Sequence, residues 1–163
     1  PFKIRYHTPE TLGKDRIAAV AGAYNKYPGS NVLIIDMGTA ITYDIINSNA
    51  EYLGGNISPG LTMRYKALNA FTNSLPLLDN DEINTDIGKD TRTAIIAGVQ
   101  QGIIHELNGY IHYFLTHFDK INIIFTGGDA KFFVNKLKNP IFVIPNLVLE
   151  GLNYILEFNA STF

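Results

Sequence analysis

The sequence predicts an α/β fold, a mixed sheet with helices packed on it, and three observations carry that expectation. Asn31 to Asp44, NVLIIDMGTAITYD, holds a continuous apolar run from Val32 to Ile35, a short turn, and a second run from Ile41 to Ile46, which reads as two antiparallel strands and their hairpin. Glu51 to Ile57 supplies a third strand directly afterwards. From there helical periodicity alternates with short apolar runs, giving the order β-β-β-α-α-β-α-β-α, strands interleaved with helices that cover a sheet.

At 163 residues one domain is expected, long enough to bury a substantial core. With 46% hydrophobic and 17% charged residues and a net charge of -2, the chain shows no bulk basicity, so nothing in its charge argues for nucleic acid or a membrane surface as partner. The absence of cysteine excludes a disulfide scaffold or a thiol nucleophile and fits a reducing cytosol. No apolar run reaches about 18 residues and PFKIRYH lacks a signal-peptide layout, so a soluble, cytoplasmic protein is expected. The chain starts at Pro1 and its first motif arrives without a preceding core element, the look of a fragment of something longer.

Taken in order, Phe2 to His7 alternates well enough for a short strand, and Thr8 to Gly13 is a turn-rich connection. Lys14 to Tyr27 is an Ala-rich helix with Ile17, Val20 or Ala21, and Tyr24 on one face, stopped by Pro28-Gly29. Within the third strand, Gly54-Gly55 signals a bulge or a close approach by ligand or backbone. Ser58 as N-cap and Pro59 at the first helical position open a helix to about Thr72, with Leu61, Tyr65, Leu68 and Phe71 on its apolar face. Asn73 to Asp86 reads as a surface loop with a solvated acidic patch, Asp79, Asp81 and Glu82. Asp90 to Phe118 is the longest periodic segment, spanning roughly 40 Å at about 1.5 Å per residue. Gly98, Gly102 and Gly109 lie near one side of it, which indicates close packing either inside the chain or between subunits. His105 and His112 share a face but lack metal-ligand spacing, and read as surface or interface residues. A strand over Ile121 to Phe125, a helix from Lys131 to Leu137, a strand from Pro140 to Ile144 and a helix from Leu147 to Phe158 complete the chain.

Three places carry candidate chemistry. At the hairpin mouth, Asp36 stands beside Gly38 and the Thr39 and Thr42 hydroxyls; successive N–H groups of such a turn can line a phosphate cradle, and a carboxylate there suits Mg²⁺. The alternative is a turn that Asp36 merely caps. Asp15 and Arg16 fall in the first turn of their helix, beside Gly13. They read either as an acid favoured by the helix dipole and a solvated charge, or as a general base and a bidentate clamp for a substrate carboxylate. Gly127-Gly128, at a strand end before a helix, suits the flat surfaces of a nucleotide, or is a tight turn with Asp129 as cap.

These residues, with the element order, resemble the type III pantothenate kinases, the Bvg accessory factor-like family with an actin-like, ribonuclease H-like ATPase fold. The motifs are T-P-x-x-L-G-x-D-R at Thr8 to Arg16, D-x-G-T-A-x-T at Asp36 to Thr42, G-G-x-I-x-P-G-L at Gly54 to Leu61, T-x-x-L-P at Thr72 to Pro76, D-T-x-x-A-I-x-x-G at Asp90 to Gly98 and T-G-G-D-A at Thr126 to Ala130. Each is weak alone; their joint occurrence in this order is specific.

The resemblance implies ATP-dependent phosphorylation of pantothenate to 4'-phosphopantothenate, the first step of coenzyme A synthesis. It makes Asp15 the general base, with Tyr6, Gly13, Lys14 and Arg16 shaping the pantothenate pocket. It assigns Asp36 to the metal, Gly38, Thr39 and Thr42 to phosphate, and Gly127 and Gly128 to the adenosine. It also implies Mg²⁺, a monovalent cation (K⁺ or NH₄⁺), and a homodimer in which Thr72 reaches the partner's pocket. Family members begin with a lobe carrying a first phosphate loop, so residues 1–30 are expected to be a remnant of that lobe and 31–163 the carboxy-terminal ATPase lobe, with the fragment inactive or nearly so by itself. A non-catalytic accessory protein on the same fold, or another actin-fold sugar or acid kinase, are the competing expectations.

Overall fold

The computed structural model describes residues 1–79, 81 and 85–161. Its six-stranded mixed sheet has the order β1-β4-β3-β2-β5-β6, with β1 Lys3–Ile4, β2 Asn31–Met37, β3 Ala40–Ile46, β4 Glu51–Pro59, β5 Ile121–Thr126 and β6 Phe142–Val143. The apolar run of β2 is buried on both faces because this strand lies inside the sheet, antiparallel to β3 and parallel to β5. The first expected strand shrinks to Lys3–Ile4, which pairs in parallel with the start of β4, and Arg5 N–H adds one more bond to the Tyr52 carbonyl.

One face of the sheet carries α1 (Lys14–Lys26) and α5 (Leu147–Ala160), the other α2 (Leu61–Ala70), α3 (Thr91–His117) and the short α4 (Ala130–Val134). The first core gathers Val32, Ile34, Ile46 and Tyr52 of the sheet under Ala19, Val20 and Ala23 of α1 and Leu147 of α5. Residues Ala18 to Ala23 are all buried, because α1 is enclosed between sheet and α5 rather than lying on the surface. The two helices approach so closely that a Cβ on Gly22 would stand 2.5 Å from the Leu147 carbonyl oxygen. The second core joins Leu33, Ile35, Met37, Ile41, Tyr43 and Ile45 to Leu61 and Tyr65 of α2, Ile96, Val99, Ile103, Leu107 and Ile111 of α3, and Phe133 of α4.

Several boundaries move. Ser58 and Pro59 are the last residues of β4, not the cap and first turn of α2, and Gly60 takes the N-cap position. The cause is pairing: β4 stays in register with β3 as far as Ala40–Pro59, and Gly60 N–H donates to the Thr39 carbonyl at 2.9 Å. The apolar face of α2 ends at Leu68, since Phe71 is 89% exposed. The α4 helix stops at Val134 and the last strand spans only Phe142–Val143. Gly54, at φ 107, sits beside a register shift between Ile45 and Ile46, the bulge its glycine pair announced. On α3, added Cβ atoms at Gly98 and Gly109 meet nothing within 4 Å and Gly102 meets only the Arg64 Nη1 at 3.8 Å, so these glycines serve no close packing among the described residues. His105 and His112 are exposed. Asp79 and Asp81 of the acidic patch are exposed, Asp81 pairing with Arg92, and Glu82 lies outside the described residues.

Candidate active site

Alternation along β2 decides what faces what. Val32 and Ile34 belong to the core under α1, and Asp36 follows the same parity, so its side chain stands on the α1 face at the carboxy-terminal end of the strand. Register puts Thr42 of β3 on one side of it and the buried Thr126 of β5 on the other. Two residues beyond Thr42, and so on the same face, lies Asp44, which is fully buried.

The first turn of α1 covers this face. Gly13 is its N-cap, and the Asp15 Oδ1 accepts from the Arg16 N–H at 2.8 Å, folding the carboxylate over the helix start where the dipole favours it. A side chain on Gly13 would meet that oxygen at 2.5 Å. Arg16 points inward, 6% exposed, with Nη2 2.6 Å from the Asp44 Oδ1 and Nε 3.0 Å from the same atom. Reading Arg16 as an open carboxylate clamp therefore needs correction: its Nε and Nη2 are both engaged by Asp44 and the side chain is buried. Burial acts to lower its basicity, but the hydrogen bonds and charge of Asp44 outweigh this and hold the guanidinium above its ordinary value. The Tyr6 ring lies 5.7 Å from the guanidinium carbon, against Gly54. Tyr6, Gly13, Lys14, Asp15 and Arg16 are thus gathered at one place, with Lys14 exposed at its rim.

Asp36 senses that place. Burial raises its carboxyl above the usual range, and the charges of Asp15 and then Asp44 raise it further. Asp36 makes no ion pair among the described residues. Three carboxylates against the Arg16 guanidinium and the exposed Lys14 ammonium leave a net negative charge that a bound cation would offset. No group of three His, Asp or Glu side chains is arranged to hold a metal among the described residues, so such an ion would take one carboxylate here and the rest of its oxygens from phosphate and water.

Round the end of the sheet a cavity of about 370 Å³ opens, lined by Met37, Gly38, Thr39, Thr62, Met63, Lys66, Gly128 and Asp129. Its floor is the hairpin turn, held by two crossing bonds: Asp129 N–H to the Met37 carbonyl at 3.0 Å and Gly60 N–H to the Thr39 carbonyl. Gly38 N–H is spent inside the turn on the Ala40 carbonyl at 3.0 Å, so it is not one of the free cradle donors the sequence offered. The glycine pair divides its labour. Gly127, at φ 88, backs onto Asp36, where a Cβ would stand 2.5 Å from Oδ1, while Gly128 faces open space in the cavity. Lys66 and Asp129 enter here as residues that sequence reasoning missed; burial raises the Asp129 carboxyl.

Thr72 stands apart. It follows α2 on the opposite face of the sheet from Asp15, with its hydroxyl donating to the Leu68 carbonyl at 2.6 Å and accepting from Leu75 N–H at 3.4 Å.

The sheet order, with a nucleotide-sized cavity at the hairpin end, defines the actin-like ATPase fold. MreB5 of Spiroplasma citri, crystallised with AMPPNP, superposes with a TM-score of 0.53 at 16% identity over 91% of this chain and 59% of its own. A Baf family protein of Campylobacter jejuni superposes at 0.68 and 28% identity, over 99% of this chain and 70% of that one. The family model for type III pantothenate kinase matches residues 1–113. Type III pantothenate kinases of Christiangramia forsetii and Bacteroides fragilis are 54% and 51% identical over 99% and 94% of the chain. The chain belongs to the type III pantothenate kinase family, and it spans 66% and 63% of the lengths of those two relatives.

Proposed function

We propose that the protein phosphorylates the hydroxyl of pantothenate with ATP as donor, giving 4'-phosphopantothenate. Family membership supports the reading, and the observation that carries it is the placement of Asp36 at the end of β2 on the sheet face that α1, with Asp15 in its first turn, packs against. Pantothenate lies over the first turn of α1, bordered by Tyr6, Gly13, Lys14 and Arg16. ATP occupies the cavity at the hairpin turn, its base and ribose near Gly128 and Asp129, its phosphates towards Thr39 and Lys66, with Thr42 assigned to phosphate by the family resemblance alone. Asp15 accepts the hydroxyl proton as the oxygen attacks the γ-phosphorus in line, and ADP departs. Asp36 is the residue of this chain that would hold Mg²⁺, which would supply positive charge to offset that of the phosphates. A monovalent cation, K⁺ or NH₄⁺, completes the set, and the reaction belongs to the cytoplasm.

A homodimer belongs to the same reading. Thr72 lies on the opposite face of the sheet from α1, and the family resemblance assigns it to the partner's pocket, with α3 and its glycines as the face a second copy would cover. No helix among the described residues is long and apolar enough to cross a membrane.

Calorimetry with pantothenate and with a non-hydrolysable ATP analogue plus Mg²⁺ tests the reading. Both ligands should bind; Asp15→Asn should weaken pantothenate selectively and Asp36→Asn should weaken the metal-nucleotide selectively. Failure of both to bind, or indifference to both substitutions, refutes it.

A further inference from the structure

Asp44 is 0% exposed, an acid in the middle of a strand whose neighbours are apolar. Three donors converge on it: Arg16 Nη2 at 2.6 Å and the Tyr52 hydroxyl at 2.6 Å, both to Oδ1, and Arg16 Nε, 3.0 Å from Oδ1 and 3.3 Å from Oδ2. A pair buried this deeply adds little net stability, because desolvation offsets the attraction and a matched apolar pair would serve as well. What apolar side chains cannot do is fix direction. A carboxylate holding two nitrogens of a planar fork sets both the place and the tilt of the guanidinium.

We propose that Asp44 is a positioning residue for the candidate active site: through Arg16 it locks the first turn of α1 onto β3 and β4, and so sets where Asp15 and the Arg16 guanidinium face. The linkage is short. Arg16 N–H donates to the Asp15 carboxylate at 2.8 Å, so a shift of Arg16 carries Asp15 with it. The guanidinium also lies over the Tyr6 ring, which rests on Gly54, so the same pair sets the wall of the pocket. Tyr52 extends the lock to a third element, β4. The role rests on the pantothenate reading only for its substrate; the mechanical part stands on the geometry.

Asp44→Asn tests it, since the amide keeps the size and an oxygen for Tyr52 but cannot serve two guanidinium nitrogens with charge. Hydrogen exchange should speed up at the Asp15, Arg16 and Ile17 amides while those of Val20 and Ala23 stay protected. Pantothenate, measured where circular dichroism shows the variant folded, should bind about tenfold more weakly, the scale of a lost bond between charged groups. An Arg16→Met/Asp44→Asn double variant should bind no more weakly than Arg16→Met. Unchanged or uniformly faster exchange across α1, an unchanged Kd, or independent effects of the two substitutions would overturn the role. If Asp44→Asn does not fold, Tyr52→Phe removes one hydroxyl from the same carboxylate and should show the same local exchange pattern; unaltered exchange there overturns the role. Wild-type protein that fails to bind pantothenate sinks the substrate reading, while the exchange pattern still decides for or against the lock.

Discussion

Replacing Gly127 with alanine perturbs the site at the point where backbone and chemistry meet. At φ 88 the residue lies in the left-handed region, which costs a non-glycine residue about 1–2 kcal/mol. The new Cβ would also stand 2.5 Å from the Asp36 Oδ1 and 2.5 Å from the Met37 carbonyl oxygen, so one or both must move. Met37 accepts from Asp129 N–H, the bond that ties the hairpin turn to the start of α4, and weakening it adds about 1 kcal/mol. Together the loss should be about 2–3 kcal/mol, or roughly 4–12 °C in Tm for a chain of this size. Gly128→Ala is the internal control, since its Cβ meets nothing within 4 Å and its change should stay within about 0.5 kcal/mol. Urea unfolding of the three proteins gives the comparison directly. Gly127→Ala with a wild-type midpoint, or Gly128→Ala equally damaged, would refute the reasoning. Nucleotide affinity should fall with Gly127→Ala as well, because Asp36 is displaced.

Asp36→Asn should raise Tm at neutral pH. The folded carboxyl titrates above its unfolded value of about 3.9, so between the two values the native state holds more protons, and stability falls as pH rises through that interval and stays lower above it. The advantage of Asn should disappear once the pH drops below the ordinary carboxylate range; a pH-independent gap in thermal scans would contradict this. Lys66→Ala should weaken the ATP analogue by about threefold to tenfold, the loss of a partly screened contact to phosphate, and leave pantothenate affinity alone; equal analogue affinity by calorimetry would remove Lys66 from the phosphate end. Gly151→Ala should cost about 1–3 kcal/mol, since its Cβ would overlap the Ala18 carbonyl and stand 2.8 Å from Gly22 N, forcing α1 and α5 apart; a wild-type melting temperature would show that the helices yield freely.

What was legible in the sequence is what depends on near neighbours. The hairpin could be read because its strands are contiguous and joined by a short turn, and the bulge because two glycines in a strand have few other uses. Asp36, Gly38 and Thr39 fall together for the same reason. Ser58-Pro59 misled because cap preference is a local signal, whereas the strand runs on for want of any reason to stop pairing with β3 until Gly60 bonds to Thr39. The spacing of Phe71 fits the apolar face of α2, but the helix ends at Ala70 and Phe71, outside the core cluster, is 89% exposed. Arg16 and Asp44 are 28 positions apart, so their bond is invisible to periodicity. One signal was available: an acid amid Tyr43, Ile45 and Ile46 must find a cation. Lys66 gave no such signal, since a lysine on a helix surface looks the same whether it meets solvent or a ligand. The α3 glycines were legible as notches but not as to what fills them.

The central claim is that Asp15 and Asp36 share one cleft, and the carboxyl titration of Asp36, followed by carbon-detected NMR in wild-type protein and in Asp15→Asn, tests it most directly. With the charge of Asp15 removed, the Asp36 carboxyl should titrate at lower pH while remaining above its ordinary value through burial. An Asp36 titration indifferent to Asp15 would place the two groups out of each other's reach and leave the fold without the proposed chemistry.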